Sequence, residues 1–121
     1  MFALATTILC IDDEPETLRL RKELLEMHGF TVLTASSGVE GLRLLTQYRG
    51  VDLVLLDYAM PGMAGDRVAE ELKGLYPRLR IVIMSGFPDL PESLLRMVDG
   101  FVRKGQDPEA VIGTISRVLG L

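Results

Sequence analysis

Ile8-Leu9-Cys10-Ile11-Asp12-Asp13 is a compact apolar run that stops abruptly at two acids. Continuous apolarity without alternation is the mark of a short strand buried on both faces. Four further runs repeat the pattern along the chain. They are Thr31-Val32-Leu33-Thr34-Ala35, Val51 to Leu56 stopping at Asp57, Arg80-Ile81-Val82-Ile83-Met84 stopping at Ser85-Gly86, and a weaker Gly100-Phe101-Val102 before Arg103-Lys104.

The longer stretches between these runs carry helical spacing. Leu20, Leu24 and Met27 fall at i, i+4, i+7 behind Asp13-Glu14-Pro15-Glu16, which supplies cap and first-turn chemistry, and Gly29 is a natural helix end. Ser37-Gly38-Val39-Glu40 fits a capping box, with Val39, Leu42 and Leu45 as the apolar stripe behind it. Val68, Leu72 and Leu75 repeat the helical spacing, and Pro77 closes that helix. Leu94, Leu95 and Val98 predict a short fourth helix after the broken stretch Pro88-Asp89-Leu90-Pro91. Asp107-Pro108 is an N-cap and first helical position, with Val111, Ile115 and Val118 forming the last stripe.

Five βα units with short links imply right-handed crossovers and a mostly parallel sheet covered on both faces. The expected architecture is α/β: a flavodoxin-like (βα)5 three-layer sandwich, with one domain over residues 1–121 and strand order 2-1-3-4-5. Such a sheet places its chemistry beyond the carboxyl ends of the strands, where the strand order reverses. In that order Asp12, Asp13 and Asp57 converge from strands 1 and 3, with Ser85 and Lys104 at the ends of the next two strands.

Composition narrows the function classes. The 121 residues are 48% hydrophobic and 25% charged, an ordinary globular balance that excludes disordered, collagen-like and disulfide-scaffold chains. Thirteen basic against seventeen acidic residues give a net charge of −4, without the basic excess of a nucleic-acid binder. The single cysteine, Cys10, has no partner within the chain, which suits a reducing cytoplasm, and it is expected to be buried and inert. No apolar run approaches a bilayer span, and Met1 to Thr7 lacks the basic start of a signal peptide. There is no GxxxxGK or GxGxxG phosphate loop to support a nucleotide-binding enzyme.

Taken singly, each candidate residue has an ordinary explanation. Asp13 is a possible cap of the first helix, Asp57 a turn acid, Lys104 a solvated surface charge and Ser85 a loop hydroxyl. Jointly they make a site. Three carboxylates in one crevice repel by ~1 to ~4 kcal/mol per close pair, depending on the local dielectric. Lys104 offsets part of that charge, and a hard divalent cation offsets more. An oxygen-only donor set without His or Cys suits Mg2+. A carboxylate beside such a cation is a nucleophile toward phosphorus, giving an aspartyl phosphate, with Lys104 stabilising charge on the moving phosphoryl group and Ser85 bonding one of its oxygens.

The ordered set Asp12-Asp13, Asp57 with Met60-Pro61-Gly62, Ser85-Gly86 and Lys104 closely resembles the receiver domain of bacterial two-component response regulators, over Ile8 to Val118. The resemblance implies that Asp57 takes a phosphoryl group from the phosphohistidine of a histidine kinase or histidine phosphotransfer protein. It implies that Asp12 and Asp13 help hold Mg2+, directly or through water, together with Asp57 and the backbone carbonyl of Ala59. Ser85 and Lys104 would contact the phosphoryl group, and Ser85 with Phe101 would form the switch. Movement of Ser85 toward the phosphoryl group opens space for the Phe101 ring and reshapes the face made by helix 4, strand 5 and helix 5. That face would then meet a downstream target or a second copy of the chain.

Three departures stand out. Gly105 follows Lys104 where the family usually has proline, often after a cis peptide, and positions 59 and 87 carry the apolar Ala59 and Phe87. Phe87 is expected to shield the phosphoryl group in part. Met60 and Met63 are expected over the site mouth or a partner surface, and His28 is expected to be a helix-end residue suited to the dipole rather than a phosphohistidine.

The expected protein is a cytoplasmic signalling phosphoprotein that catalyses only its own aspartyl phosphorylation and dephosphorylation and contacts neither nucleic acid nor membrane. No output domain is expected within 1–121, whether the chain stands alone or belongs to a longer hybrid kinase or regulator. Two alternatives remain. One is a receiver-like interaction module that never carries phosphate, encouraged only by Gly105. The other is a small aspartyl-phosphate phosphatase of the haloacid-dehalogenase type. That family wants Asp-x-Asp on its first strand and usually a cap domain, whereas the pair here is adjacent.

Overall fold

The computed structural model describes residues 5–60, 64–86 and 89–121. Five strands, β1 (Thr7–Ile11), β2 (Thr31–Ala35), β3 (Leu53–Asp57), β4 (Arg80–Ser85) and β5 (Gly100–Arg103), alternate with five helices, α1 (Pro15–Met27), α2 (Gly38–Gln47), α3 (Gly65–Leu75), α4 (Glu92–Met97) and α5 (Pro108–Leu119). All neighbouring strands pair in parallel, in the order β2-β1-β3-β4-β5. β3 starts two residues later than its apolar run, because Asp52 turns its carboxylate onto the backbone N–H of Thr7, 2.8 Å away.

The strand pleat sorts alternate residues into two cores. Ile8, Cys10, Leu53, Leu55, Val82 and Met84 face α1 and α5, where Leu18, Leu25, Val111 and Ile115 meet them. Leu9, Ile11, Val54, Leu56, Ile81 and Ile83 face α2, α3 and α4, covered by Leu45, Val68, Leu72 and Leu94. Each fully buried aliphatic side chain contributes roughly 1.5–3 kcal/mol by leaving water. Only β3, at the centre of the sheet, is buried throughout, since Thr7 opens β1 half-buried and Arg80 opens β4 exposed. On the edge strands Thr31 and Arg103 are exposed, and Leu33, Thr34 and Phe101 are half-buried.

Several helical faces differ from the sequence expectation. On α1 the inward residues are Leu18, Arg21 and Leu25, while Leu20 and Met27 are 53% and 81% exposed. Of the stripe Leu20-Leu24-Met27 only Leu24 is partly covered, because the helix turns Arg21 inward to meet a carboxylate. Val39 on α2, Leu75 on α3 and Leu95 on α4 are exposed as well, and Val98 lies just past the end of α4. In α2 the wall is Gly38, Gly41 and Leu45, since a bare Cα at Gly41 lets the helix close onto Ile11.

The caps are mostly as expected. Ser37 Oγ accepts from the Glu40 N–H at 3.1 Å, although the Glu40 carboxylate reaches back to Ser36 and not to the cap residue itself. Asp107 accepts from the Ala110 N–H at 3.0 Å. The end of α1 is a Schellman turn: the Phe30 N–H donates to Leu25 O, the Gly29 N–H to Glu26 O, and Gly29 takes φ +89°. The N-cap of α1 is Glu14, so Asp13 is not its cap. Met60 is buried in the core cluster on the α2, α3 and α4 side of the sheet. Pro61, Gly62, Met63 and Phe87 lie outside the described residues, and with them the expected shielding by Phe87. No helix among the described residues is long and apolar enough to cross a membrane.

Candidate functional site

The carboxyl ends of β1 and β3 sit side by side because the crossover through β2 and α2 returns the chain to the far edge of β1. Asp12 continues the β1 ladder, its N–H donating to Ala35 O at 3.1 Å. Asp57 is the last residue of β3. Asp12 and Asp57 are each 1% exposed and Asp13 is exposed, and one carboxylate oxygen from each of the three lies within 4.8 Å of the others.

Strands β4 and β5 bring the remaining groups. Ser85 ends β4 and is buried, and its carbonyl accepts from the Lys104 N–H at 2.8 Å. That bond carries the β4–β5 ladder one step beyond β5 and fixes the origin of the Lys104 side chain. Lys104 Nζ then stands 2.6 Å from Asp57 Oδ1. The contact is a charge pairing and not an aligned hydrogen bond, so this buried oxygen lacks a directed donor among the described residues. Phe101 is half-buried on β5, packed against the core on the α2, α3 and α4 side. Ala59 is exposed two residues after Asp57.

Two glycines shape the surrounding loops. A Cβ on Gly65 would lie 2.7 Å from Tyr58 Cα and 2.9 Å from Asp57 O, so α3 abuts the backbone at the end of β3 only because position 65 has no side chain. The Gly65 N–H also donates to Tyr58 O at 2.8 Å, closing the loop after Asp57. Gly105 has φ +91°, a conformation closed to the proline usual in the family, whose ring holds φ near −65°. The loop after Lys104 is thus built for glycine and held by the Arg103 N–H donating to Gln106 Oε1 at 2.9 Å.

Arg21 is a site residue that the sequence pattern did not reveal. Buried on the inner face of α1, it places Nη1 2.7 Å from Asp12 Oδ2. The other Asp12 oxygen accepts from the Glu14 N–H at 2.9 Å. A basic residue standing between Leu18 and Leu25 at helical spacing was the available signal.

Burial pushes the Asp57 carboxyl above its ordinary range. The Lys104 ammonium opposes the shift, the Asp12 charge adds to it and Arg21 opposes it. A carboxyl raised on folding makes the folded state less favourable above its folded pKa, and that penalty fades as pH falls to the ordinary carboxylate value. In metal-free buffer Asp57→Asn is therefore expected to melt higher than the parent chain at neutral pH, with the gap closing as the pH is lowered to about 4. A gap that widened on acidification in thermal melts would contradict this electrostatic account. Elsewhere, burial drives the Cys10 thiol up to about 12, which leaves it protonated and inert. His28 caps α1, exposed, with Nδ1 3.0 Å from Leu24 O.

A doubly wound parallel sheet with an acidic crevice at its switch point and a lysine across from it defines the class: a flavodoxin-like α/β domain whose ligand site lies beyond the carboxyl ends of the strands. The family model for the response regulator receiver domain matches residues 8–116, and the chain belongs to that family. It is 32% identical over 115 residues to the transcriptional regulatory protein GlrR of Escherichia coli K12, covering 93% of this chain and 26% of that protein. It is 32% identical over 83 residues to sporulation initiation phosphotransferase F of Bacillus subtilis, covering 69% of this chain and 66% of that one. The chain spans about a quarter of the length of the first curated relatives it matches. Among solved structures, a receiver domain from Clostridium thermocellum superposes with a TM-score of 0.87 at 34% identity, covering 95% of this chain and 94% of that one. The response regulator TrrA of Thermotoga maritima, solved in complex with Mg2+-BeF, gives 0.87 at 29% identity, covering 94% and 99%.

The donors present suit such an ion. Three carboxylates converge, and Asp57 Oδ1 is buried with only a charge for company. Oxygen donors of this kind are the set a hard divalent cation takes.

Proposed function

We propose that the chain is a phosphoacceptor, in which Asp57 receives a phosphoryl group from the phosphohistidine of a histidine kinase or histidine phosphotransfer protein. The observation that carries this reading is Asp57 itself: a buried carboxylate at a strand end, 2.6 Å from a lysine ammonium and grouped with two further carboxylates. An oxygen of Asp57 attacks phosphorus, the P–N bond of the donor breaks, and its electron pair returns to the imidazole, which takes up a proton. Lys104 is positioned to follow charge onto the equatorial phosphoryl oxygens as the bond is made. Asp12, Asp13, Asp57 and the Ala59 carbonyl would hold Mg2+, which when bound supplies further neutralisation of that charge. The chain turns over no separate metabolite in this reading and works in the cytoplasm.

The output follows from the same site. Ser85, at the end of β4, bonds a phosphoryl oxygen once it has arrived. Phe101 then turns further inward, and the face of α4, β5 and α5 changes for a downstream target or a second copy of the chain.

Incubation with acetyl phosphate on a phosphate-affinity gel tests the reading. A shifted band is expected with Mg2+, lost with chelator and lost completely in Asp57→Asn. A band that survives in Asp57→Asn would place the acceptor elsewhere.

A further inference from the structure

Arg21 has no part in the phosphoryl chemistry just described, yet the fold turns it inward at the centre of the buried face of α1. A guanidinium is costly to remove from water unless paired, and its partner is Asp12, itself buried. Both oxygens of Asp12 are thereby engaged by the chain's own donors, Oδ2 by Arg21 Nη1 at 2.7 Å and Oδ1 by the Glu14 N–H at 2.9 Å. The crevice holds three carboxylates against two cations, Arg21 and Lys104, and only Asp13 among the acids is exposed and without a cation of its own among the ion pairs of the described residues.

We propose that Arg21 is a built-in counter-ion that competes with Mg2+ for the charge of Asp12, weakening the resting affinity of the site for the cation. The inference rests on the reading of this crevice as a Mg2+ site. A fixed positive charge against one of three donor carboxylates repels an incoming divalent ion and occupies lone pairs that the ion would use. Both effects are strong where water is excluded. Lys104 is different, because it stands at Asp57 on a 37% exposed side chain that can swing aside, whereas Arg21 is packed between Leu18 and Leu25.

Calorimetric titration with MgCl2, with no phosphoryl donor present, decides the matter. Three variants are compared with the parent chain. Arg21→Met removes the charge and keeps the length. Arg21→Gln removes the charge and keeps a hydrogen-bond donor for Asp12, which protects the fold should the methionine variant fail. Arg21→Lys keeps the charge. Either neutral variant is expected to bind Mg2+ roughly tenfold more tightly than the parent, and Arg21→Lys to stay within about threefold of it. Equal or weaker binding by the folded neutral variants, with the parent still binding, overturns the counter-ion role and leaves the Mg2+ site standing. Absence of heat and of any Mg2+-dependent melting shift in every folded variant overturns the site and the inference together.

Discussion

Gly65→Val is expected to cost about 3 kcal/mol or more, lowering the thermal midpoint by about 10 °C. Even the first added carbon falls 2.7 Å from Tyr58 Cα and 2.9 Å from Asp57 O, and backbone atoms at the end of a fully buried parallel strand cannot step aside as a side-chain terminus can. Either α3 backs away from the sheet, opening the contacts of Val68 and Leu72, or β3 shifts at its last residue, and that residue is Asp57. Stability and phosphoryl acceptance should therefore fall together. Gly74 makes the control. It is exposed on the same helix, and a Cβ added there would meet nothing within 4 Å, so Gly74→Ala is expected to stabilise by roughly 0.5–1 kcal/mol through helix propensity alone. Thermal melts of the two variants that moved by the same few degrees would contradict the close-approach account.

Lys104→Met is expected to slow phosphoryl incorporation from acetyl phosphate by about 10²–10³-fold at fixed Mg2+, the usual cost of removing one preorganised charge stabiliser. The substitution keeps the aliphatic stem of a half-exposed side chain, so the fold is retained. It removes the largest influence holding the Asp57 carboxyl down, leaving burial and Asp12 to push it higher. The variant should consequently be less stable than the parent at neutral pH in metal-free buffer. The deficit should shrink on acidification, because below the ordinary carboxylate pKa Asp57 is protonated in folded and unfolded chains alike. Rates within threefold of the parent would remove Lys104 from the chemistry.

The strands and their order were legible because an apolar run ending in a polar residue is what a doubly wound sheet requires, and that requirement also gathered Asp12, Asp13, Asp57, Ser85 and Lys104 at one edge. The face of α1 was not legible. Leu20, Leu24 and Met27 make a cleaner helical stripe than Leu18 and Leu25 with Arg21 between them, and periodicity weights an arginine as solvent-facing. The inward turn of Arg21 is dictated by a carboxylate nine residues earlier on another element, a tertiary pairing that local pattern does not encode. Val39 failed for a related reason: glycines at 38 and 41 carry the approach of α2 to the sheet, and a residue defined by a missing side chain leaves no hydrophobic signal, whereas Leu75 is simply the last residue of α3 and Leu95 the neighbour of the buried Leu94. Gly105 stood out in the sequence, but its φ of +91° is visible only in the folded loop.

The proposed phosphoacceptor role comes down to one covalent bond, which can be located directly. After incubation with acetyl phosphate and Mg2+, borohydride reduction of the acyl phosphate followed by peptide mass spectrometry reports which carboxylate carried it. The expected result is a single reduced site at Asp57, absent when Mg2+ is chelated. A reduced site at Asp12 or Asp13, or no reduced site after exposure to a histidine-kinase donor as well, would contradict it.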